Sequence, residues 1–460
     1  MPLCWLAWES KHSGLPWQFA PTSRCGRNAK VTALSEIQTG LATGALLIAP
    51  LSLAGLALIN SGLGRARNAA HAMLSSVCAA SLAACVYFVI GRCWHASLDD
   101  PARVFYIAGK PWNWIGAARP FFAGLAPDGS RAFLTAWLGL SGVALAALIP
   151  IGGGGGRWRL NSICASTALL AGITYPLFAH WSQGGGWLHQ LGVNFGLGNG
   201  FIDTGGAGSI HVTGGLTALA IAWILGPRRG KYSPDGMPMA IPGHSVVFVI
   251  FGCFVAAAGW LGLNAAGAIL FVAVPPGRLI LVGVNTLLGA SAAALVSAVV
   301  TRVRFGLPDA SLTANGWVGG LVASSAGAAF MPPAAAVLTG LIAGALVALS
   351  VELLELRFEI DDPGGSVSVH AVAGIWGLLA TGMLGRFDNG DNGALLAQVV
   401  GIATLIGFVF PLSWGLNAAL NRFMPMRVSR EGERQGMDLS ELGSGAYPDF
   451  VTHADDHMQR

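Results

Sequence analysis

Along this chain an apolar run of about 20 residues recurs, each time closed by a short polar turn, and that is the length a helix needs to cross a hydrocarbon layer of roughly 30 Å. The pattern predicts eleven spans, at about 37–63, 68–92, 131–152, 160–181, 204–226, 243–264, 278–301, 311–331, 333–355, 365–384 and 393–423. In lipid each backbone N–H and C=O has to be satisfied within the protein, so the runs are expected as helices. Residues 1–34 carry Lys11, Arg24, Arg27 and Lys30 with no clean apolar core, and read as neither a signal peptide nor a span. Three regions follow: 1–34 as an extension or an overlong start, 35–424 as the membrane domain, and 425–460 as a tail.

The polar turns give an orientation. Arg65/Arg67, Arg157/Arg159, Arg228/Arg229/Lys231, Arg302/Arg304 and Arg357 fall on every second turn, on the side of a tail with Arg422, Arg427 and Arg430. By the positive-inside rule the tail is cytoplasmic and the N-terminus outside, in a multi-pass protein of the cytoplasmic (inner) membrane. The long 93–130 loop breaks the alternation and is read as a segment that crosses regardless of charge.

Two spans open on the same motif. Asp203-Thr-Gly-Gly-Ala-Gly-Ser-Ile-His211 and Asp362-Pro-Gly-Gly-Ser-Val-Ser-Val-His370 share Asp, Gly-Gly, Ser and His at fixed places. Eight residues of helix rise roughly 12 Å, which puts each histidine well below the surface. An ionisable side chain at that depth is costly and is a functional candidate. The motif opens span 5 and span 10, so each half holds five spans and an eleventh follows. An odd number per half inverts the second half, and the two histidines then approach one another near the midplane, where inverted-repeat transporters place their sites. The fold class predicted is therefore an all-α polytopic membrane protein: two inverted five-helix repeats plus an eleventh helix. The plainer alternative is two separately satisfied histidines in helix packing.

Composition agrees with the pattern. The chain of 460 residues is 53% hydrophobic and 10% charged, with mean hydropathy +0.61. That excludes an ordinary soluble domain. A net charge of +4, spread over loops, leaves no footprint for nucleic acid. Seven cysteines show no paired spacing, and Cys93 with His95 gives two metal ligands without a third. No metal or cofactor is expected. The 65 glycines suit closely packed membrane helices. Gly152–Gly156 lacks the Gly-Lys-Ser/Thr of a phosphate loop and reads as a flexible turn. His180 and His244 sit near span ends with tips toward the interface, Glu352 and Glu355 face the cytoplasm or Arg357, and Asp388, Asp391 and Asn392 form a polar turn.

Over roughly residues 37–447 the chain resembles the ammonium transporter (Amt/Rh) family. The likeness is carried by Pro50…Gly62-Leu-Gly-Arg65-Ala-Arg67-Asn68, His180-Trp181…Gly184-Gly-Gly-Trp187-Leu188, Gly259-Trp-Leu-Gly-Leu-Asn264-Ala265, Asp361-Asp362-Pro363…His370, and the tail from Arg427 to Tyr447. The resemblance implies a homotrimer with one pore per subunit, lined by His211 and His370. It implies that Asp203 orders the outer mouth and that the tail docks a PII-type signalling protein. Ammonium would be deprotonated, ammonia would cross, and the histidines would relay the proton. The chain departs from the family at the external ammonium site: the aromatic before Gly-Gly-Gly is Gln183, the span 6 Phe is Leu263, the Ser four residues on is Gly267, and the span 3 Phe falls on Ser141 or Gly142. The cation–π cage that would hold a desolvating ammonium, worth about 1–2 kcal/mol when dry, is missing.

Each site residue has a structural alternative. Asp362 is read first as a helix cap, with Pro363 at the first helical position. Asp203 caps span 5 and also gives the outer mouth a negative charge. Gln183 offers its amide to an ammonium or to a loop hydrogen bond, and Trp187 belongs to the mouth or its scaffold. The reading is transport of ammonium or ammonia with no cofactor; an Amt-like sensor with little flux is the rival. A metal or enzyme site is disfavoured, because Asp203 and Asp362 lie about two turns from their histidines at opposite ends.

Overall fold

A computed structural model describes residues 33–98, 100–387, 390 and 392–447. The expectations for residues 1–32 and for Asp388 and Asp391 lie outside them. Ten helices among the described residues are long and apolar enough to cross a membrane: α1 Glu36–Leu63, α2 Ala66–His95, α3 Arg131–Gly154, α4 Leu160–Ser182, α5 Ala207–Leu225, α6 Val246–Val272, α7 Arg278–Phe305, α9 Pro333–Phe358, α10 Val367–Leu384 and α11 Ala394–Phe423. Between α7 and α9 lies α8, Ala310–Ser324. The protein is a multi-pass membrane protein.

The expected eighth span, 311–331, differs in kind. Its helix has only 15 residues and gives way to turns after Ser324. Ser324 and Ser325 turn their hydroxyls back onto the Leu321 carbonyl, at 2.7 and 2.9 Å. This leaves the Ser325 carbonyl to take the Gly205 N–H at 2.7 Å and the Ala326 carbonyl to take the Thr204 hydroxyl at 2.9 Å. The broken helix therefore holds the loop that leads into α5. Helix ends supply unpaired carbonyls that an unbroken helix does not.

Other sequence expectations need correction. Span 6 runs to Val272 rather than ending at Asn264, which lies inside the bundle and donates its amide N–H to Thr286 Oγ1 at 3.0 Å. The 93–130 loop contains an antiparallel hairpin of β1 Ala102–Ile107 and β2 Lys110–Gly116. Gly152–Gly156 is not a flexible turn: α3 continues to Gly154, and the Gly152 carbonyl takes the Gly364 N–H at 3.1 Å. A Cβ on Gly364 would lie 2.8 Å from the Gly152 Cα, so this contact with the second motif requires glycine. Glu352 and Glu355 pair with Arg304 and Lys231, at 2.5 and 2.6 Å, rather than with Arg357. His180 is wholly buried, between the His95 carbonyl and Asn113 Oδ1 at 2.6 and 2.9 Å, rather than at the interface.

The tail packs onto the Arg-bearing turns. Arg427 donates to the Leu225 and Pro227 carbonyls at 2.7 and 2.8 Å and pairs with Glu433 at 2.9 Å. Asp438 accepts from the His71 and Ala70 amides at 2.7 and 3.2 Å, and Glu441 from the Leu160 amide at 3.2 Å. Two membrane helices are thus capped at their N-termini by carboxylates from the far end of the chain, where the helix dipole favours negative charge.

Candidate functional site

Both motif histidines lie in wide π-helical turns, Ala207–Val212 and Val367–Val372, at the start of α5 and α10. The aspartates open these turns. Asp203 accepts from the Gly208 and Ser209 amides at 2.9 and 2.8 Å, and Asp362 from the Val367 amide at 2.6 Å. Each carboxylate thus meets amides that the helix start leaves unpaired. Burial raises the Asp203 carboxyl above its ordinary value, against the pull of its amide donors.

The two spans cross through glycine. Four residues beyond His211, Gly215 faces the Ala371 backbone so closely that any Cβ would overlap it. Four residues beyond His370, Gly374 faces Val212, whose methyl would sit 2.6 Å from an added Cβ. The contact is reciprocal: His+4 of each span touches His+1 of the other. It brings the His211 and His370 rings to 5.4 Å between centroids, inclined by 28°. Trp260 lies on the other face of His211, at 5.0 Å and 6°. Both histidines are buried, and neither nitrogen of His211 nor Nδ1 of His370 has a hydrogen-bond partner among the described residues. No hydrogen bond joins the two rings among the described residues.

Small cavities adjoin the two motifs. Near the first, a vestibule of about 280 Å³ is lined by Gln183, Asp203, Thr204, Phe271 and Arg278 among others. Gln183, Thr204 and Phe271 also line a second space, about 10 Å³, with His95, Tyr175, Leu263 and Ile210. Near the second motif a space of about 20 Å³ lies among Asn60, Asn68, His71, Gly152 and Gly364.

The profile of the Ammonium Transporter Family matches residues 41–447. The chain belongs to that family.

Among its relatives, ammonium transporter Amt2 of Archaeoglobus fulgidus is 33% identical over 423 residues, covering 86% of this chain and 85% of that protein. Ammonium transporter 1 member 1 of Solanum lycopersicum is 30% identical, covering 84% and 82%. Among solved structures, a "Sensor Amt Protein" is similar with a TM-score of 0.79 at 26% identity, covering 88% of this chain and 98% of that one. Candida albicans Mep2 shares the fold, with a TM-score of 0.74 at 22% identity, covering 91% of each. The family is one of transporters, not of enzymes.

Set against the family pattern, the residues separate. Gln183 spends its amide N–H on the Asp203 carbonyl at 2.7 Å, a loop hydrogen bond, while still facing the vestibule. Leu263 lines the neck. Gly267 does not line it; a Cβ there would overlap the Thr204 carbonyl, so the position cannot carry a serine without moving the loop. Trp187 stacks on Trp112 at 5.4 Å and is scaffold rather than vestibule wall. The hairpin residue Asn113 holds that segment, taking the Trp187 N–H at 2.9 Å and donating to the Gly185 carbonyl at 3.0 Å. Trp260 on His211 and Tyr175 at the neck were not singled out from the sequence, and His95 was weighed only as a metal ligand beside Cys93. Aromatic residues with polar tips inside apolar spans were the available signal, since such tips need partners when buried.

Proposed function

We propose that this protein conducts ammonium nitrogen across the cytoplasmic membrane through a pore lined by His211 and His370, which relay the proton while ammonia crosses. The observation that carries the reading is the pair of buried imidazoles with centroids 5.4 Å apart, contributed by matching motifs. A bare cation there costs several kcal/mol or more, whereas neutral ammonia does not. Each imidazole nitrogen can take up and give up a proton, so the pair offers the proton a path of its own while ammonia crosses.

The reciprocal glycine contacts of α5 and α10 support two inverted five-helix repeats, with α8 as a shortened span and α11 as the eleventh. Arg-bearing turns gathered at the ordered tail support a cytoplasmic C-terminus and an outer N-terminus. Family membership supports a homotrimer, and the tail's exposed side is where a PII-type protein would dock.

Ammonium pulses on proteoliposomes should give a current, and methylammonium should be taken up. Binding without flux would favour the sensor reading, which the likeness to a sensor Amt protein keeps in view. His211→Ala should change the rate or let other cations pass; transport unchanged in both respects would remove the relay role.

A further inference from the structure

A second group of polar rings is buried on the vestibule side of the histidine pair, and the conduction scheme does not use it. Tyr87 on α2, His95 at its end and Tyr175 on α4 meet edge to face, with centroids 5.9, 6.3 and 6.0 Å apart. Tyr87 Oη lies 2.7 Å from His95 Nδ1. Two glycines of α3 leave room for the hydroxyls: a Cβ on Gly142 would lie 2.6 Å from Tyr175 Oη, and one on Gly139 would overlap Tyr87 Oη. The bundle gives up side-chain volume here to admit polar groups.

His95 is 1% exposed, and its Nε2 meets no donor or acceptor among the described residues. With Tyr175, Gln183 and Thr204 it walls the space of about 10 Å³ at the neck, about the room that one water-sized molecule needs. A buried ring nitrogen without a partner, in the wall of such a space, indicates a small missing one. A neutral imidazole that donates from Nδ1 to Tyr87 Oη keeps a lone pair on Nε2. Ammonium is water-sized and offers only N–H donors. Two groups that can carry positive charge lie nearby, Arg92, paired with Asp100 at 2.5 Å, and His180, between the His95 carbonyl and Asn113; their charge favours a neutral His95 ring, which is the form that keeps the lone pair.

We infer that His95, positioned by Tyr87, forms with Tyr175 an ammonium-binding station at the neck, in place of a cage of aromatic faces. Nε2 accepts an N–H of the cation, and the Tyr175 ring borders it. The identity of the ligand rests on the transport reading; the station itself does not.

The test is ammonium-driven current in proteoliposomes of the full chain, with half-saturating concentration and maximal current read separately. His95→Leu should raise the half-saturating concentration roughly tenfold or more, the scale of a hydrogen bond to a charged group, and leave the maximal current within about twofold. Tyr87→Phe keeps the ring and removes only the hydroxyl, so it should shift the same parameter by less; it serves where His95→Leu does not fold. Half-saturation unchanged in a folded variant overturns the station. If the unaltered protein gives no current, the transport reading fails by itself. The station is then read by calorimetry with ammonium chloride against sodium chloride: binding lost in the variant supports it, and binding retained overturns it.

Discussion

Asp361 and Asp362 are neighbours in sequence with opposite surroundings. Burial alone would raise the Asp361 carboxyl, but Arg228, bidentate at 2.8 Å, and Arg157 at 3.8 Å hold it down at about 2, against an ordinary 3.8. Burial pushes Asp362 up to about 6, with the Val367 and Ser366 amides opposing. The first contributes stability that is present above pH 3.8 and lost as pH falls toward 2, on the order of 2 kcal/mol. The second binds its proton more tightly when folded, so stability should decline as pH rises from 3.8 to 6. Melting followed by tryptophan fluorescence should show both limbs, and Asp362→Asn should flatten the decline while keeping the cap. Asp361→Asn leaves two buried guanidinium groups unpaired and should cost about 3–5 kcal/mol; a smaller loss would mean that water reaches them. The residue scale was partly legible. Asp and His at fixed offsets marked the caps and the imidazoles, but nothing near Asp361 in sequence revealed partners that lie over a hundred residues away, at Arg228 and Arg157.

At the scale of elements, nine-residue motifs at the span starts predicted α5 and α10, because apolar length and Asp caps are local properties. The crossing of these helices depends on one small residue in each. Gly215→Val or Gly374→Val should separate the π-turns and abolish both folding yield and flux, measured as folded protein recovered from membranes and current. Full activity in either would show that the close approach is dispensable. The tail caps are a second element-level dependence. Asp438→Ala removes the acceptor for the His71 and Ala70 amides and should lower stability by about 1 kcal/mol, read as a lower melting temperature. Alternating charge did not reveal this contact, since the tail's acidic residues carry no sign of which helix they meet. The break after Ser324 was equally hidden: hydropathy continues through it, and only the Thr204–Gly205 loop that needs its carbonyls explains why the helix stops.

For the whole molecule, orientation gives the plainest check. A cysteine introduced at Asp128 should react with an impermeant thiol reagent added outside intact cells, and one at Arg430 only after lysis; the reverse pattern would invert the proposed topology. Membrane location, helix number to within one, the paired motifs and the family were determined by the sequence itself, because a bilayer demands long apolar helices and makes buried histidines costly. The tertiary structure alone decided that the imidazoles lie 5.4 Å apart between centroids with no hydrogen bond joining them, that α8 ends early, and that Tyr87, His95 and Tyr175 gather beside the neck. Those outcomes depend on how glycines let separate helices approach, a relation between distant residues that no local pattern carries.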